Sequence, residues 1–283
     1  MSATRPVSYT IDGDGTQLDI ALVEIDELLF HEETISGSLD ALEEEIEGSG
    51  ILKSPVIVGS ASLLVLDGIH RVEALRNLSC RFMCVCLVDY LSPGIRVDRW
   101  CRVVSSPIPI EEFSSRFGDL GVIAEAGAPH GEGASLLMVE EGHYEMSAHG
   151  EGIVSAFATV ASIESWLRKK GHSLRYETER DAAKILERRE AGFVLFPPAI
   201  EKSHVLEAVK SGQLFPSKTT RHILLARPFG VDVPLALLRD NLISVEEANR
   251  RLSKMLEAKS LRRFPPGYRW GSRRNEEAVY LFE

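Results

Sequence analysis

Asp67-Gly68-Ile69-His70-Arg71 brings a carboxylate, a permissive backbone position, an imidazole and a guanidinium together where an apolar run ends. That run, Leu63-Leu64-Val65-Leu66, suits a buried strand, and a helical pattern restarts at Val72, Leu75 and Leu78. Gly68 to Arg71 are therefore expected in a tight turn or in the first turn of a helix. Such a position gathers unpaired backbone N–H groups and the positive end of the helix dipole, which attract anions. His70 and Arg71 add side-chain donors, and a guanidinium suits bidentate phosphate binding. The turn reads as a phosphate cradle. The same pattern also reads as a plain capped helix, with Asp67 as N-cap and His70 and Arg71 solvated.

Two other stretches carry chemistry. His31-Glu32-Glu33 places a histidine and two carboxylates ahead of a helical pattern at Leu39, Leu42 and Ile46. On local grounds alone, Glu32 and Glu33 read as acidic decoration before a helix N-terminus. Late in the chain, Lys218-Thr219-Thr220-Arg221-His222 offers two cations, two hydroxyls and an imidazole in succession. That set suits a carboxylate or a phosphate; the plainer reading is a polar loop before a strand at Ile223 to Leu225.

The elements that must position these groups alternate between short strands and helices. A helix from about Leu39 ends at Gly48 and Gly50, and Val56 to Val58 follows as a strand. Phe82 to Val88 is almost wholly apolar and suits a central strand covered on both faces. Further on, Ser105 to Pro109 reads as a linker, and Gly127 to Gly133, with His130, as a surface loop. Ser135 to Val139 and His143 to Ser147 suit a hairpin, while Ser155 to Leu167 and Asp181 to Arg189 are helical. Between them Ser173 to Tyr176 suits a strand; Gly192 to Pro198 follows as a strand running into a stop, and Ile200 to Val209 as a short helix. Ser244 and Glu247 make a capping box for a helix with Leu252 and Leu256 inward; Ala278 to Phe282 alternates like an edge strand.

Composition narrows the classes. A net charge of -10 lacks the footprint of a general nucleic-acid binder. The one basic cluster, Arg262, Arg263, Arg269, Arg273 and Arg274, reads as a solvated tail. No apolar run approaches the ~20 residues of a membrane helix, and the polar stretch Met1 to Thr16 gives no reason to expect a signal peptide. Cys80, Cys84, Cys86 and Cys101 form no CxxC pair and are expected as buried free thiols of a cytoplasmic protein.

Together these pieces resemble a known group. Leu66 to Arg71, after Gly50-Ile51-Leu52-Lys53-Ser54-Pro55, looks like the nucleotide-binding core of the ParB/sulfiredoxin superfamily. Within it the chain is most similar to the free L-serine kinases, ADP- or ATP-dependent. They share a His-Glu pair, matched by His31-Glu32, and an Asp-Gly-His-His-Arg loop, matched by Asp67 to Arg71 except at Ile69. They share an Asp-Tyr followed by a Trp, matched by Asp89-Tyr90 and Trp100, and a late Thr-Arg-His segment, matched within Lys218 to His222. Sulfiredoxin-like enzymes carry a reactive Cys where Ile69 stands; isoleucine forms no thiolate, so that chemistry is excluded.

The resemblance implies an α/β (α+β) fold: a ParB/sulfiredoxin-like nucleotide-binding domain over 1–105 and a mixed α/β domain over 106–283 that completes an amino-acid pocket. It implies ATP or ADP as phosphoryl donor with Mg2+, and free L-serine as acceptor. Glu32 would be the general base, with Glu33 as fallback, and Asp67 and His70 would share the catalytic work, Asp67 as magnesium or ammonium ligand. Gly50, Ile51, Lys53, Asp67, Gly68, Ile69, His70 and Arg71 would hold the nucleotide. Arg71, Trp100, Thr219, Thr220, Arg221 and His222 would hold the amino acid. The product would serve amino-acid, siderophore or other natural-product biosynthesis. No membrane or nucleic-acid partner is expected. Two alternatives stand beside this: a ParB-like nucleotide-binding regulator of DNA without kinase activity, and a kinase of another hydroxy amino acid.

Overall fold

The computed structural model describes residues 6–13, 16–34, 39–118, 121–123, 134–139, 142–147, 152–270 and 273–283. The loop Gly127 to Gly133, with His130, lies outside the described residues, and Arg273 and Arg274 are described only in their backbone. The chain divides into two compact units. One comprises Met1–Phe30, Thr34–Arg96 and His222–Glu283; the other comprises His31–Glu33 and Val97–Arg221. The boundary expected after residue 105 does not describe this division. The last sixty or so residues return to the first unit because their helix and strands are built into its core.

The first unit holds a five-stranded sheet in the order Tyr9–Gly13, Thr16–Glu24, Phe82–Val88, Val56–Gly59, Val65–Asp67. Phe82–Val88 sits in its centre, antiparallel to Thr16–Glu24 and parallel to Val56–Gly59. All seven of its residues are buried, as its apolar run requires. The helices Leu39–Ser49 and Ile69–Asn77 pack against each other. The first of them stops at Gly50, whose φ of 68° turns the chain into the strand Ile51–Leu52.

A second sheet of the same unit corrects one expectation. Ala278–Phe282 is the central strand, parallel to Ala226–Phe229 and antiparallel to Leu261–Phe264. All five residues are buried, so the strand is covered on both faces and paired on both edges. The strand expected at Ile223 to Leu225 is replaced by two short ones, Thr220–Ile223 and Ala226–Phe229. The helix Val245–Glu257 opens on Ser244, whose side chain accepts the Glu247 N–H at 3.3 Å, and buries Leu252 and Leu256. It is pinned to the first sheet by buried Asn249. That side chain accepts from Ser8 Oγ (2.6 Å) and Leu22 N–H (2.9 Å) and donates to the carbonyls of Leu22 and Val245 (both 2.8 Å).

The second unit is a six-stranded antiparallel sheet in the order Leu174–Glu177, Cys101–Val104, Phe193–Phe196, Ala134–Val139, Gly142–Ser147, Gly121–Ile123. The expected hairpin forms its far half. The helix Ile153–Lys169 lays Val160, Ile163 and Leu167 against Phe113, Phe193 and Leu195. The helix Glu179–Glu187 covers Cys101, Val103 and Val194 through Ala182. All four cysteines are free and buried. Burial pushes the Cys101 thiol up to about 12 and raises Cys84 and Cys86 as well, so none is a nucleophile near neutral pH.

Two substitutions on one helix test this packing. Ser244→Ala removes one cap hydrogen bond and costs about 1 kcal/mol. Asn249→Ala strands buried backbone and hydroxyl partners and costs about 2–4 kcal/mol. Urea unfolding should separate the two; equal losses would show that Asn249 does not fasten the C-terminal segment.

Candidate active site

The strand Val65–Asp67 passes through Gly68 into the helix Ile69–Asn77. Gly68 has φ 101° and is itself the N-cap; an added Cβ would lie 2.6 Å from both Val56 Cγ1 and Arg71 Nη2. Only glycine fits this bend. Asp67 is therefore not the N-cap that the capped-helix reading required. Its Oδ2 instead accepts from Arg71 Nη2 (3.0 Å) and from Arg227 Nη1 (2.6 Å). Arg71 is not simply solvated either: its Nη1 donates to the carbonyls of Ser54 (3.1 Å) and Pro55 (2.7 Å), which ties that segment to the helix start. Ile69 and His70 lie half-buried in the first helical turn.

Arg227 is a residue that sequence reasoning missed. It is 8% exposed and also donates through Nε to Glu277. Burial pulls its pKa down, but the two carboxylates outweigh this and raise it, so it stays a cation. Arg71 and Arg227 line a cleft of about 320 Å3 in the first unit, together with Ser49, Ile51, Lys53 and Ser54. The volume is of the order used by small-ligand sites. Among the expected nucleotide contacts, Ile51, Lys53 and Arg71 reach this cleft, while Gly50 supplies the bend that leads to it. Asp67 does not fit as a magnesium site held by the protein. Two guanidinium groups share its Oδ2, and the described residues contain no group of three His, Cys, Asp or Glu able to hold a metal ion.

In the second unit, His31–Glu33 is clipped to the segment at Phe215. Phe215 N–H donates to the His31 carbonyl (2.8 Å), and Glu33 N–H donates to the Phe215 carbonyl (2.9 Å). This brings Glu32 to the turn that follows. Its Oε1 accepts from both the backbone N–H and the hydroxyl of Thr220, and its Oε2 accepts from the Lys218 N–H at 3.2 Å. Lys218 takes a positive φ of 63°, which aims these N–H groups inward. The Glu32 side chain is 12% exposed, and burial raises its pKa; the Thr220 and Lys218 hydrogen bonds offset only part of that. His31, 1% exposed, has Nε2 2.8 Å from Thr220 Oγ1. Glu32 is thus a held, desolvated carboxylate rather than acidic decoration, whereas Glu33 is exposed.

The other residues of the late segment split. Thr219 is fully buried and its hydroxyl donates to the Pro216 carbonyl (2.7 Å), so it braces the turn instead of facing a ligand. Arg221 lies 3.6 Å from Asp98 and stacks over the Trp100 ring at 5.6 Å. The Trp100 carbonyl is held by Arg102, a fully buried cation paired with Glu164, which Tyr176 also contacts at 2.6 Å. His222 belongs to the first unit, where it is buried with its Nε2 3.1 Å from the Tyr90 hydroxyl. Glu164 was foreseeable: it interrupts the apolar face that runs through Val160 and Leu167, and a carboxylate there needs a buried partner.

No family model matches the chain. It is 29% identical over 229 residues to the ADP-dependent L-serine kinase of Thermococcus kodakarensis, covering 77% of this chain and 93% of that one. It is also 29% identical over 234 residues to the ATP-dependent L-serine kinase of Staphylothermus marinus, covering 77% and 90%. Among solved structures, a free serine kinase in complex with AMP superposes with a TM-score of 0.67 and 26% identity, over 78% of this chain and 93% of that one. The expected mixed α/β, ParB/sulfiredoxin-like architecture is borne out. In sequence and in fold alike, the chain is similar to the free L-serine kinases.

Proposed function

We propose that the chain is a phosphotransferase that moves a phosphoryl group from ATP or ADP to the hydroxyl of free L-serine, giving O-phospho-L-serine. The observation that carries this reading is the geometry of Glu32, a desolvated carboxylate fixed by three donors and raised in basicity. The serine hydroxyl oxygen forms the new bond to phosphorus as the bond to the nucleotide's leaving oxygen breaks, and the hydroxyl proton passes to Glu32. The backbone N–H groups after Gly68 and the His70 side chain take the nucleotide phosphates, while Lys53, Arg71 and Arg227 offset their negative charge. Arg221, stacked on Trp100, pairs with the serine carboxylate. Asp67 acts by orienting Arg71 and Arg227.

The deciding experiment is incubation with ATP or ADP and each free amino acid, followed by phosphorus NMR. Phosphoserine is the expected product. Product with threonine or homoserine alone would move the reading to another hydroxy amino acid. No product, together with salt-dependent retention on DNA, would replace it with a nucleotide-binding regulator.

Glu32→Gln should lower kcat by about 10^2–10^4-fold, the range for losing a general base, with nucleotide affinity retained in calorimetry. The base works only when ionised, and burial raises its pKa, so kcat should fall on acidification along a limb lying above that of an ordinary carboxylate. Arg227→Met should weaken nucleotide binding about tenfold, as expected for a lost charge-assisted contact of ~1.4 kcal/mol. Unchanged affinity would remove Arg227 from the nucleotide site.

A further inference from the structure

The oxygens of Glu32 are not equivalent. A carboxylate oxygen has two lone-pair sites, and Oε1 has both filled, by the N–H and the hydroxyl of Thr220. Among the described residues, Oε2 receives only the Lys218 N–H, at a long 3.2 Å. Thr220 has one hydroxyl proton, and it is committed to Glu32. Its contact with His31 must then run the other way, with His31 Nε2–H donating to Thr220 Oγ1 at 2.8 Å. A relay of donors therefore points from a buried imidazole through a hydroxyl to one carboxylate oxygen.

We infer that His31 and Thr220 are positioning residues which saturate Glu32 Oε1 and thereby make Oε2 the oxygen that receives the substrate proton. This rests on the kinase reading for the identity of the substrate and for Glu32 as its base. Without the relay, the Thr220 hydroxyl turns freely, the carboxylate rotates about its last bond, and either oxygen competes for the proton. Two further groups face the carboxylate: His31, whose Nε2 lies 3.9 Å from Oε1 and which the relay substitutions replace, and the Lys218 side chain, which favours the ionised form and is left unchanged by them. The contacts call for a hydroxyl at 220: serine would make the same hydrogen bonds and valine would not.

The test compares Thr220→Val with Thr220→Ser, and His31→Leu with His31→Gln, whose amide keeps an N–H near the Nε2 position. Thr220→Val should lower kcat about tenfold and move its acidic limb to higher pH, since a hydrogen bond to the ionised form is lost. Thr220→Ser should restore both to within about twofold. His31→Leu should shift the limb in the same direction by less, and His31→Gln should restore it. Nucleotide affinity should stay constant across the series. A wild-type limb and rate in Thr220→Val, or a Thr220→Ser variant as slow as valine, would overturn the inference. Two measurements do not depend on activity. Carbon NMR should show the Glu32 carboxyl titrating at higher pH in Thr220→Val, and nitrogen NMR of the unaltered chain should find the His31 proton on Nε2. A proton on Nδ1 alone would overturn the relay even if valine at 220 prevents folding. An active Glu32→Gln variant would instead defeat the base assignment while leaving these titrations to stand or fall by themselves.

Discussion

A carboxylate taken almost out of water costs several kcal/mol unless donors replace the lost solvent, and the arrangement around Glu32 is organised by that requirement. Three donors come from one turn, at Lys218 and Thr220. The turn can present them because Lys218 accepts a left-handed backbone and Thr219 is locked inward on the Pro216 carbonyl. Phe215, fully buried, stands at its base with its ring edge against Phe157 of the long helix, 5.8 Å between centroids. The packing of that helix is thus what keeps the turn in place. Burial and hydrogen bonding pull the carboxyl in opposite directions, and burial wins. The result is a carboxyl more basic than that of a surface glutamate.

The first unit solves a different electrostatic problem. Arg227 is buried between Asp67 and Glu277, and Asp67 is shared with Arg71, so charges alternate along the row. Pairs of this kind contribute little net stability over apolar packing, yet removing one member leaves an uncompensated buried charge. Their effect here is geometric. Arg71 reaches back to the Ser54 and Pro55 carbonyls while Asp67 holds its other end, so the strand end, the Gly68 bend and the Lys53–Pro55 segment move as one piece. Glu277, almost at the end of the chain, fixes a side chain that faces a loop formed two hundred residues earlier.

What the sequence displayed was whatever depended on local pattern. The wholly apolar Phe82–Val88 run is the sheet centre, the glycine after Leu66-Asp67 is the bend, and Ser244 with Glu247 starts its helix. Local pattern failed where long-range pairing decides. Glu32 reads as decoration because its partners lie 186 and 188 positions away. Ala278–Phe282 reads as an edge because alternation cannot report that both its neighbours are present. Lys218 to His222 reads as one polar set, but a brace and a core histidine are mixed into it, and hydroxyl and imidazole look alike in sequence whether they face in or out. Arg227 was hidden for the same reason: its strand offers no sign that two carboxylates await it.

Ile69 shows how the two kinds of information combine. By family pattern the position calls for an imidazole, and isoleucine offers no donor. The loop nevertheless keeps the feature on which an anion cradle depends. Gly68 holds a backbone that no side chain permits, and the first backbone N–H groups of the helix follow it directly. Those donors belong to the main chain and are indifferent to the residue at 69. The cations that would answer a phosphate are likewise placed from elsewhere, Arg71 one turn on and Arg227 from the far end of the chain. An apolar side chain at 69 therefore subtracts one contact from a site whose shape is fixed by glycine and whose guanidinium donors come from Arg71 and Arg227. Loss of the bend at 68 would remove both at once, since the Cβ that closes it collides with Arg71 itself.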